Sequence, residues 1–443
     1  MGQAQHPKWQ QSGISPCRCC TAYTLCSQYN GHSAPPALDH RTGRLVVFFR
    51  PPDPTRVTNL QDHGMGSLRW AIANAPSGST ITFDTSLHGT ILLTSSDLSI
   101  TRNLTIRGPG AGILSISSGK SGHIVHVVQE VTVTISGLTF KDSETFRGII
   151  DNEGMLMLAN STVSGNKATG SGGGILNALS GMLTLSNSTV SGNTATGDNG
   201  GGIDNEGTLT LINSIVLGNT STGYGGGIYN LGTLTLSNST VSSNTATGDG
   251  GGILNTSTLT LSNSTISDNT ATHGNGGGIT ISGIIGFPVQ AMLLYCTVYG
   301  NTAIVGGGIW IGHLNEQDQV TMGASIIAGN NAHTGPDIAG PLTTLGYNLV
   351  GGRSGATFLG PSKQQSTDVL GVSSTDLGID PMLRDNGGSA RPHTWTHALL
   401  LGSPAIDLIP SDVCMMFKVF NDQRGVRRLQ GKGCDSGAYE YSP

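Results

Sequence analysis

Apolar and polar residues alternate in short bursts through the middle of the chain, and the bursts recur. Leu209 and Leu211, Leu234 and Leu236, and Leu259 and Leu261 each flank a threonine. Period two is the strand pattern, and β-branched neighbours fit a pleated surface. No window here carries apolar residues at the i, i+3, i+4, i+7 spacing of a helix. Each burst sits inside a longer phrase: Gly-Gly-Gly-Ile, a polar turn, Thr-Leu-Thr-Leu-Ser-Asn-Ser-Thr-Val, then a turn rich in Ser, Asn and Thr. The clearest copy runs from Gly225 to Thr247. The Ile after the glycines recurs at a nearly even spacing as Ile175, Ile203, Ile228, Ile253, Ile279 and Ile309. A period in the twenties marks a solenoid, in which a repeat buries its apolar face only by stacking on its neighbours. Leucine-rich repeats share the period but place Leu and Asn differently. The pattern predicts an all-β chain wound as a right-handed parallel β-helix, one rung per repeat, with two or three short strands per rung.

Asparagines recur in three further columns. One runs Asn166, Asn193, Asn219, Asn244, Asn269, Asn301, Asn330; a second Asn160, Asn187, Asn213, Asn238, Asn263; a third Asn152, Asn177, Asn205, Asn230, Asn255. Asn tolerates the left-handed backbone of a sharp turn. Stacked amides can also hydrogen-bond along the axis. The glycine rows need a reason, because glycine is the costliest residue to order. They let the backbone pack flat at a corner with no side chain in the way.

Ahead of the repeats, Ser67 to Pro76 reads as a short helix. Ser67 caps it, Leu68, Ala71, Ile72 and Ala75 form its apolar stripe, and Pro76 stops it. Such a helix covers an open first rung. Strands are expected at 80–83, 89–93, 103–106, 113–116, 124–128 and 131–135, with Gly108-Pro109-Gly110 as a turn. About ten or eleven rungs fit between Thr80 and Val350, a body about 50 Å long.

Charged residues are only 11% of the chain, the net charge is −5, and 67 residues are glycine. No Lys/Arg cluster occurs, so nucleic acid is not an expected partner. No apolar run is long enough to cross a bilayer as a helix, so no membrane span is expected. A monomer is expected. Leu45 to Phe49 is too short for the apolar core of a secretory signal. Of seven cysteines, Cys17, Cys19, Cys20 and Cys26 crowd the front without the paired C-x-x-C of a zinc site. Cys296 takes the place of Ser239 and Ser264 and reads as a small core residue. Cys414 and Cys434 bracket a short loop and are expected to form a disulfide.

Gly225 to Ala246 resembles the repeats of chlamydial polymorphic outer-membrane proteins. Val57 to Gly112, with GSLRWAIANA, STITFD, GTILLTS and NLTIRGPGAG, resembles the N-terminal cap of large bacterial β-helix surface proteins with a CSLREA motif. Gly66 and Trp70 stand where that motif has Cys and Glu. SIIAGN (325–330), GPDIAG (335–340), LGYNLVG (345–351), DNGG (385–388), THALLLGSPAID (396–407), DQRGVRR (422–428) and CDSGAYE (434–440) together resemble the choice-of-anchor Q domain. The resemblance implies an extracellular or cell-surface β-helix protein of no established activity, although neither a signal peptide nor a sorting tail is legible. The expected domains are 1–55, a disordered tail or misassigned start; 56–80, the N-terminal cap; 81–345, the β-helix; and 346–443, a C-terminal capping module. In that module Asp407, Asp422, Arg424, Asp435 and Glu440 read as hydrogen-bonded, ion-paired structural groups.

One outward column offers chemistry. The residue after each Ile is Asp151, Leu176, Asp204, Tyr229, Leu254, Thr280 and Trp310, and Asp-Asn-Glu-Gly occurs at both 151–154 and 204–207. In register, Asp151 and Asp204 lie about 9.6 Å apart, near the outer limit for an inverting glycosidase pair. Tyr229 and Trp310 offer stacking surface for sugar rings. The alternative is a solvated column, which Leu176 between the acids favours. The phrases of polygalacturonases and the acidic cluster and base of pectate lyases are missing. Gly197-Asp198 and Gly248-Asp249 are similar to turns of calcium-binding nonapeptide repeats without their short period, so no cofactor is expected, calcium being the weak candidate. His393 and His397 would pair on a metal only on a helix, which Pro392 opposes; no metal ligands are assigned. The expectation is a non-enzymatic structural or adhesive β-helix protein facing a polysaccharide, a matrix or another cell. The alternative is a glycoside hydrolase or polysaccharide lyase using Asp204 with Asp151 or Glu206.

Overall fold

The computed structural model describes residues 53–119, 122–283, 288–312, 315–359, 365–389 and 394–442, and the strands Ala37–Leu38 and Leu45–Val46. The chain divides into two units, Met1–Asp53 and Pro54–Pro443. In the first, the two short strands pair antiparallel. Cys17, Cys19, Cys20, Cys26 and His393 lie outside the described residues.

Pro54–Pro443 holds a right-handed parallel β-helix. A regular rung has four strands: Ile228–Asn230, Thr233–Ser237, Thr240–Ser242 and Thr245–Ala246. Each pairs in parallel with the same phrase one rung on, so Ile228 stacks on Ile253, Leu234 on Leu259, Val241 on Ile266 and Ala246 on Ala271. The isoleucine column runs unbroken from Ile150 through Ile175, Ile203, Ile228, Ile253, Ile279 and Ile309 to Ile338. With the leucine and valine columns it fills one continuous core. Strands replace helices because an apolar residue is due at every second position and a turn soon follows.

The asparagine columns divide into two kinds. The second column sits at the left-handed corner, with φ of 48° at Asn160, 51° at Asn187 and 51° at Asn238. The first and third columns are buried amide ladders. Asn219 Nδ2 donates to Asn244 Oδ1 at 2.9 Å, and Asn244 Nδ2 to Asn269 Oδ1 at 2.9 Å. Asn244 Nδ2 also donates to the Val216 carbonyl, and its Oδ1 accepts the backbone N–H of Asn219. The first ladder ends on Asp337, whose carboxylate accepts from Asn330 at 2.8 Å. A serine column runs alongside, Ser188, Ser214, Ser239, Ser264, each accepting the N–H of its predecessor. Cys296 follows in that column, fully buried, and Ser325 resumes it.

The glycine triplets make a close approach. Gly225 has φ +62°, and a Cβ there would meet the Tyr229 Cα at 2.8 Å; at Gly227 it would meet the next rung's Gly252 carbonyl at 2.6 Å. No L side chain fits either place.

At the N-terminus, Arg56–Val57 pairs with Thr82–Phe83. The helix Leu68–Asn74 follows, with Ser67 Oγ accepting the Trp70 N–H at 3.2 Å and Leu68, Ala71, Ile72 and Ala75 buried. The strand Leu98–Ile100, absent from the expected set, adds to the first rungs.

The C-terminal module returns along the side of the solenoid, over the Thr-Val-Ser strands. Gln423 Nε2 donates to Thr240 Oγ1, while Thr265 Oγ1 donates to Gln423 Oε1. Arg428 donates to Asn263 Oδ1, and Ala438 N–H to Thr297 Oγ1. Behind this interface lie buried ion pairs, Arg424–Asp422 at 2.7 Å and Arg428–Glu440 at 3.3 Å. Arg428 also covers the Tyr295 ring at 3.8 Å. Asp435 accepts the N–H of Asp407, and burial beside Glu440 pushes its carboxyl up to about 7. Cys414 and Cys434 form a disulfide with Cα atoms 5.8 Å apart.

Two stability effects follow. Asn244→Ala strips Asn219 of two acceptor contacts and is expected to cost about 3 kcal/mol, whereas Asn238→Gly at the left-handed corner stays within about 0.5 kcal/mol. Urea denaturation of both variants reads the contrast. Reducing Cys414–Cys434 is expected to lower stability by about 3 kcal/mol, measured by denaturation with and without reductant.

Candidate functional site

The outward column beside the isoleucines forms as the register requires. Val125–Val127, Ile150–Asn152, Ile175–Asn177, Ile203–Asn205 and Ile228–Asn230 stack so that His126, Asp151, Leu176, Asp204 and Tyr229 lie one above another. Asp151 and Asp204 are therefore two rungs apart with Leu176 between them. Glu153 and Glu206 sit two residues beyond each Asp, in the turns that follow the strands.

The column is not the solvated or exposed strand face that the alternation suggested. Leu176 is 1% exposed, Asp204 4%, Leu254 6% and Thr280 0%. The cause is the glycine turn that precedes each strand. It folds back over the strand it leads into, and its first glycine approaches the backbone or Cβ of the column residue. Asp151 and Tyr229 remain partly open. Trp310 stacks on Thr280 at the far end, three rungs or about 14 Å from Tyr229, so the two rings do not share a platform.

Asp204 is the perturbed group. Burial, with Glu206 and Asp198 nearby, pushes its carboxyl up to about 7, against a weaker pull from the Ser171 hydroxyl and Arg147. Its Oδ1 is buried without a hydrogen-bond partner. The Tyr229 phenol is raised by burial and by Asp204 in the rung before.

The sequence reading missed His126. It lies one ordinary period before Asp151, but its rung lacks the Gly-Gly-Gly-Ile phrase that fixed the count. His126 Nε2 lies 3.8 Å from Glu153 Oε1. One ligand atom each from His126, Asp151 and Glu153 falls within 4.8 Å of the others. His126 Nε2 and Asp151 Oδ1 are both closed to solvent and lack a hydrogen-bond partner. Two surface depressions, one along Thr270–Thr272, Thr302–Ile304 and Asn331–His333, the other around Cys414 and Arg428, touch neither acid pair.

A second outward surface is larger. The eight five-residue strands from Thr132–Ser136 to Gln319–Gly323 stack in register. Their outward residues include Met155, Met157, Met182, Thr184, Thr210, Thr235, Thr260 and Met292, and none of the outward positions is Asp, Glu, Lys or Arg. Met155, Met157, Met182, Ile212 and Met292 are exposed on it. Among the described residues no helix is long and apolar enough to cross a membrane.

Comparison with known families agrees on the fold. The family model described as "Right handed beta helix region" matches residues 89–266. Among solved structures, ORF18 of Geobacillus virus E2 is 12% identical at a TM-score of 0.31, covering 72% of this chain and 67% of that one. A mutant of the PL6 family alginate lyase AlyGC is 10% identical at 0.31, covering 76% of this chain and 60% of its own length. A PL6 family polysaccharide lyase from Pseudopedobacter saltans is 12% identical at 0.28, covering 72% and 91%. No curated protein matches.

The raised carboxyls set a pH dependence. A buried acid whose folded value is above its unfolded value holds its proton in the folded state, so its own contribution to stability is fully present below about 4 and is lost as pH rises toward 7. Asp204→Asn is expected to flatten that fall and to raise stability at pH 8 by up to about 4 kcal/mol. Denaturation at pH 5 and pH 8 measures it, and equal effects at the two values would contradict the assignment.

Proposed function

We propose that the protein is a non-enzymatic, extracellular-type structural or adhesive β-helix that adsorbs to a neutral polysaccharide. One observation carries this reading: the uncharged face of stacked Thr, Ser, Gln and Met residues, eight strands long. At the strand spacing it extends about 34 Å. Hydroxyl rows offer donors and acceptors at a fixed pitch, and methyl and thioether groups between them offer apolar contact. A neutral glycan presents the same alternation of hydroxyls and C–H faces. An exposed apolar patch of this kind on a rigid scaffold is a usual mark of an interaction surface. The C-terminal module docks on the neighbouring Thr-Val-Ser sheet from Thr240–Ser242 onward and leaves Met155, Met157, Met182, Ile212 and Met292 of this face exposed.

The alternative, a glycoside hydrolase or polysaccharide lyase, rests on Asp204. A carboxyl pushed up to about 7 has the value of a general acid near neutral pH. Its burial opposes the role, because a general acid must reach the glycosidic oxygen.

Cosedimentation with a panel of insoluble neutral polysaccharides, together with assay of released sugar, separates the readings. Binding without sugar release is expected, and Thr210→Lys with Thr235→Lys weakens it about tenfold by forcing a charge to lose water. Binding indifferent to these lysines would overturn the assigned face. Turnover lost in Asp204→Ala would overturn the non-enzymatic reading.

A further inference from the structure

We propose that His126, Asp151 and Glu153 bind a divalent transition-metal ion, a site independent of the flat face described above. Three features of the corner point there. His126 and Asp151 come from adjacent strands paired in register, and the Glu153 N–H donates to the Val127 carbonyl at 2.9 Å, so the backbone fixes where the three side chains start. Their ligand atoms lie within 4.8 Å of one another, the one grouping of three His, Cys, Asp or Glu side chains this close among the described residues. On two of these side chains an atom able to ligate, His126 Nε2 and Asp151 Oδ1, is shut off from solvent and has no hydrogen-bond partner.

A buried polar atom left unpaired is costly, and a histidine next to a carboxylate would ordinarily relieve it with a direct hydrogen bond. Here Nε2 stands 3.8 Å from Glu153 Oε1, beyond hydrogen-bond length. The gap suits an ion between the groups: two bonds of about 2.1 Å place their ligand atoms about 3–4 Å apart. Glu153 is 38% exposed, so its side chain can close on the ion with little rearrangement. Two carboxylates also balance a divalent charge.

The donor set selects the class of ion. Calcium and magnesium take oxygen ligands, whereas an imidazole nitrogen with carboxylates suits zinc, manganese, iron or cobalt in the divalent state. Three protein ligands on an outward corner leave at least one position for water or for an oxygen of a bound anion, the arrangement of an open rather than a purely structural site.

The test uses the full-length, tag-free protein stripped of metal and titrated with Co²⁺, read by electronic absorption and by competition with Zn²⁺. One ion per chain is expected, with ligand-field bands and no thiolate charge-transfer band. His126→Ala and Asp151→Asn should each weaken uptake about tenfold or more, whereas His273→Ala, an exposed histidine elsewhere, should leave it unchanged. Because His126→Ala could disturb its rung, Glu153→Gln at the more exposed position provides a second test and should weaken uptake several-fold. The proposal is overturned by the absence of saturable uptake, by uptake equal in the parent and all three site variants, or by a spectrum showing thiolate ligands alone.

Discussion

The structure depends on one constraint: each rung must lie one strand spacing, about 4.8 Å, above the last. Backbone pairing fixes that distance, so every side chain inside the coil has a copy of itself, or a near copy, for a neighbour. Ile on Ile and Leu on Leu meet this requirement by dispersion and burial. Among polar side chains an amide or a hydroxyl can satisfy itself from a copy, because it both donates and accepts. Asn244 does so completely, giving its two N–H groups to Asn269 and the Val216 carbonyl and taking two donors on its oxygen. A carboxylate only accepts, so it can end such a ladder but not continue it, and Asp337 stands at that end. Like charges stacked at this distance repel. The sparse charge of the whole chain, 11%, follows from the same geometry.

Departures from self-stacking therefore carry information. His126, Asp151, Leu176, Asp204 and Tyr229 form a column in which no residue repeats its neighbour. The two acids are held apart by an apolar rung, which keeps like charges from adjacent positions. Buried polar atoms without a hydrogen-bond partner occur in this column on His126, Asp151 and Asp204, and elsewhere on Asn152, Asn213, Ser242 and Arg428. The column thus breaks both the self-stacking rule and, at three of its residues, the pairing of buried polar atoms, and local inconsistency of that sort is where function is expected.

Much of the coil was legible because its determinants are periodic. The isoleucine column, the glycine corner, the capping helix and Cys296 in the serine column all follow from spacing alone. The two roles of asparagine were named but not apportioned. Left-handed backbone at Asn187 and Asn238 is a local property, while the ladder at Asn219 and Asn244 exists only once rungs are stacked, and the residue types are identical. The burial of Asp204 was illegible for a different reason. Alternation tells which side of a strand a residue occupies, but not that a glycine turn will fold across it. His126 was hidden because its rung lacks the marker phrase. The docking of Gln423 and Arg428 on Thr240, Thr265 and Asn263 joins segments far apart in the sequence, and nothing in those ordinary-looking repeats distinguishes them from free surface.

The two long faces of the coil have opposite fates, and their chemistry explains why. From Thr240–Ser242 onward the Thr-Val-Ser face is covered by a module whose Arg424, Arg428, Asp422 and Glu440 are buried with their partners. Burying ions is costly unless each is paired and hydrogen-bonded, so these groups can rest on the coil only where hydroxyls and amides meet them. Thr240, Thr265 and Asn263 provide such groups at a fixed pitch. The face of five-residue strands also provides hydroxyls, but Met157, Met182, Ile212 and Met292 interrupt them with exposed apolar groups. Such a surface cannot receive an ionic module without leaving charges unpaired. It can receive a partner that is itself uncharged, extended and alternately polar and apolar, and that complementarity, not the fold alone, is what distinguishes this face.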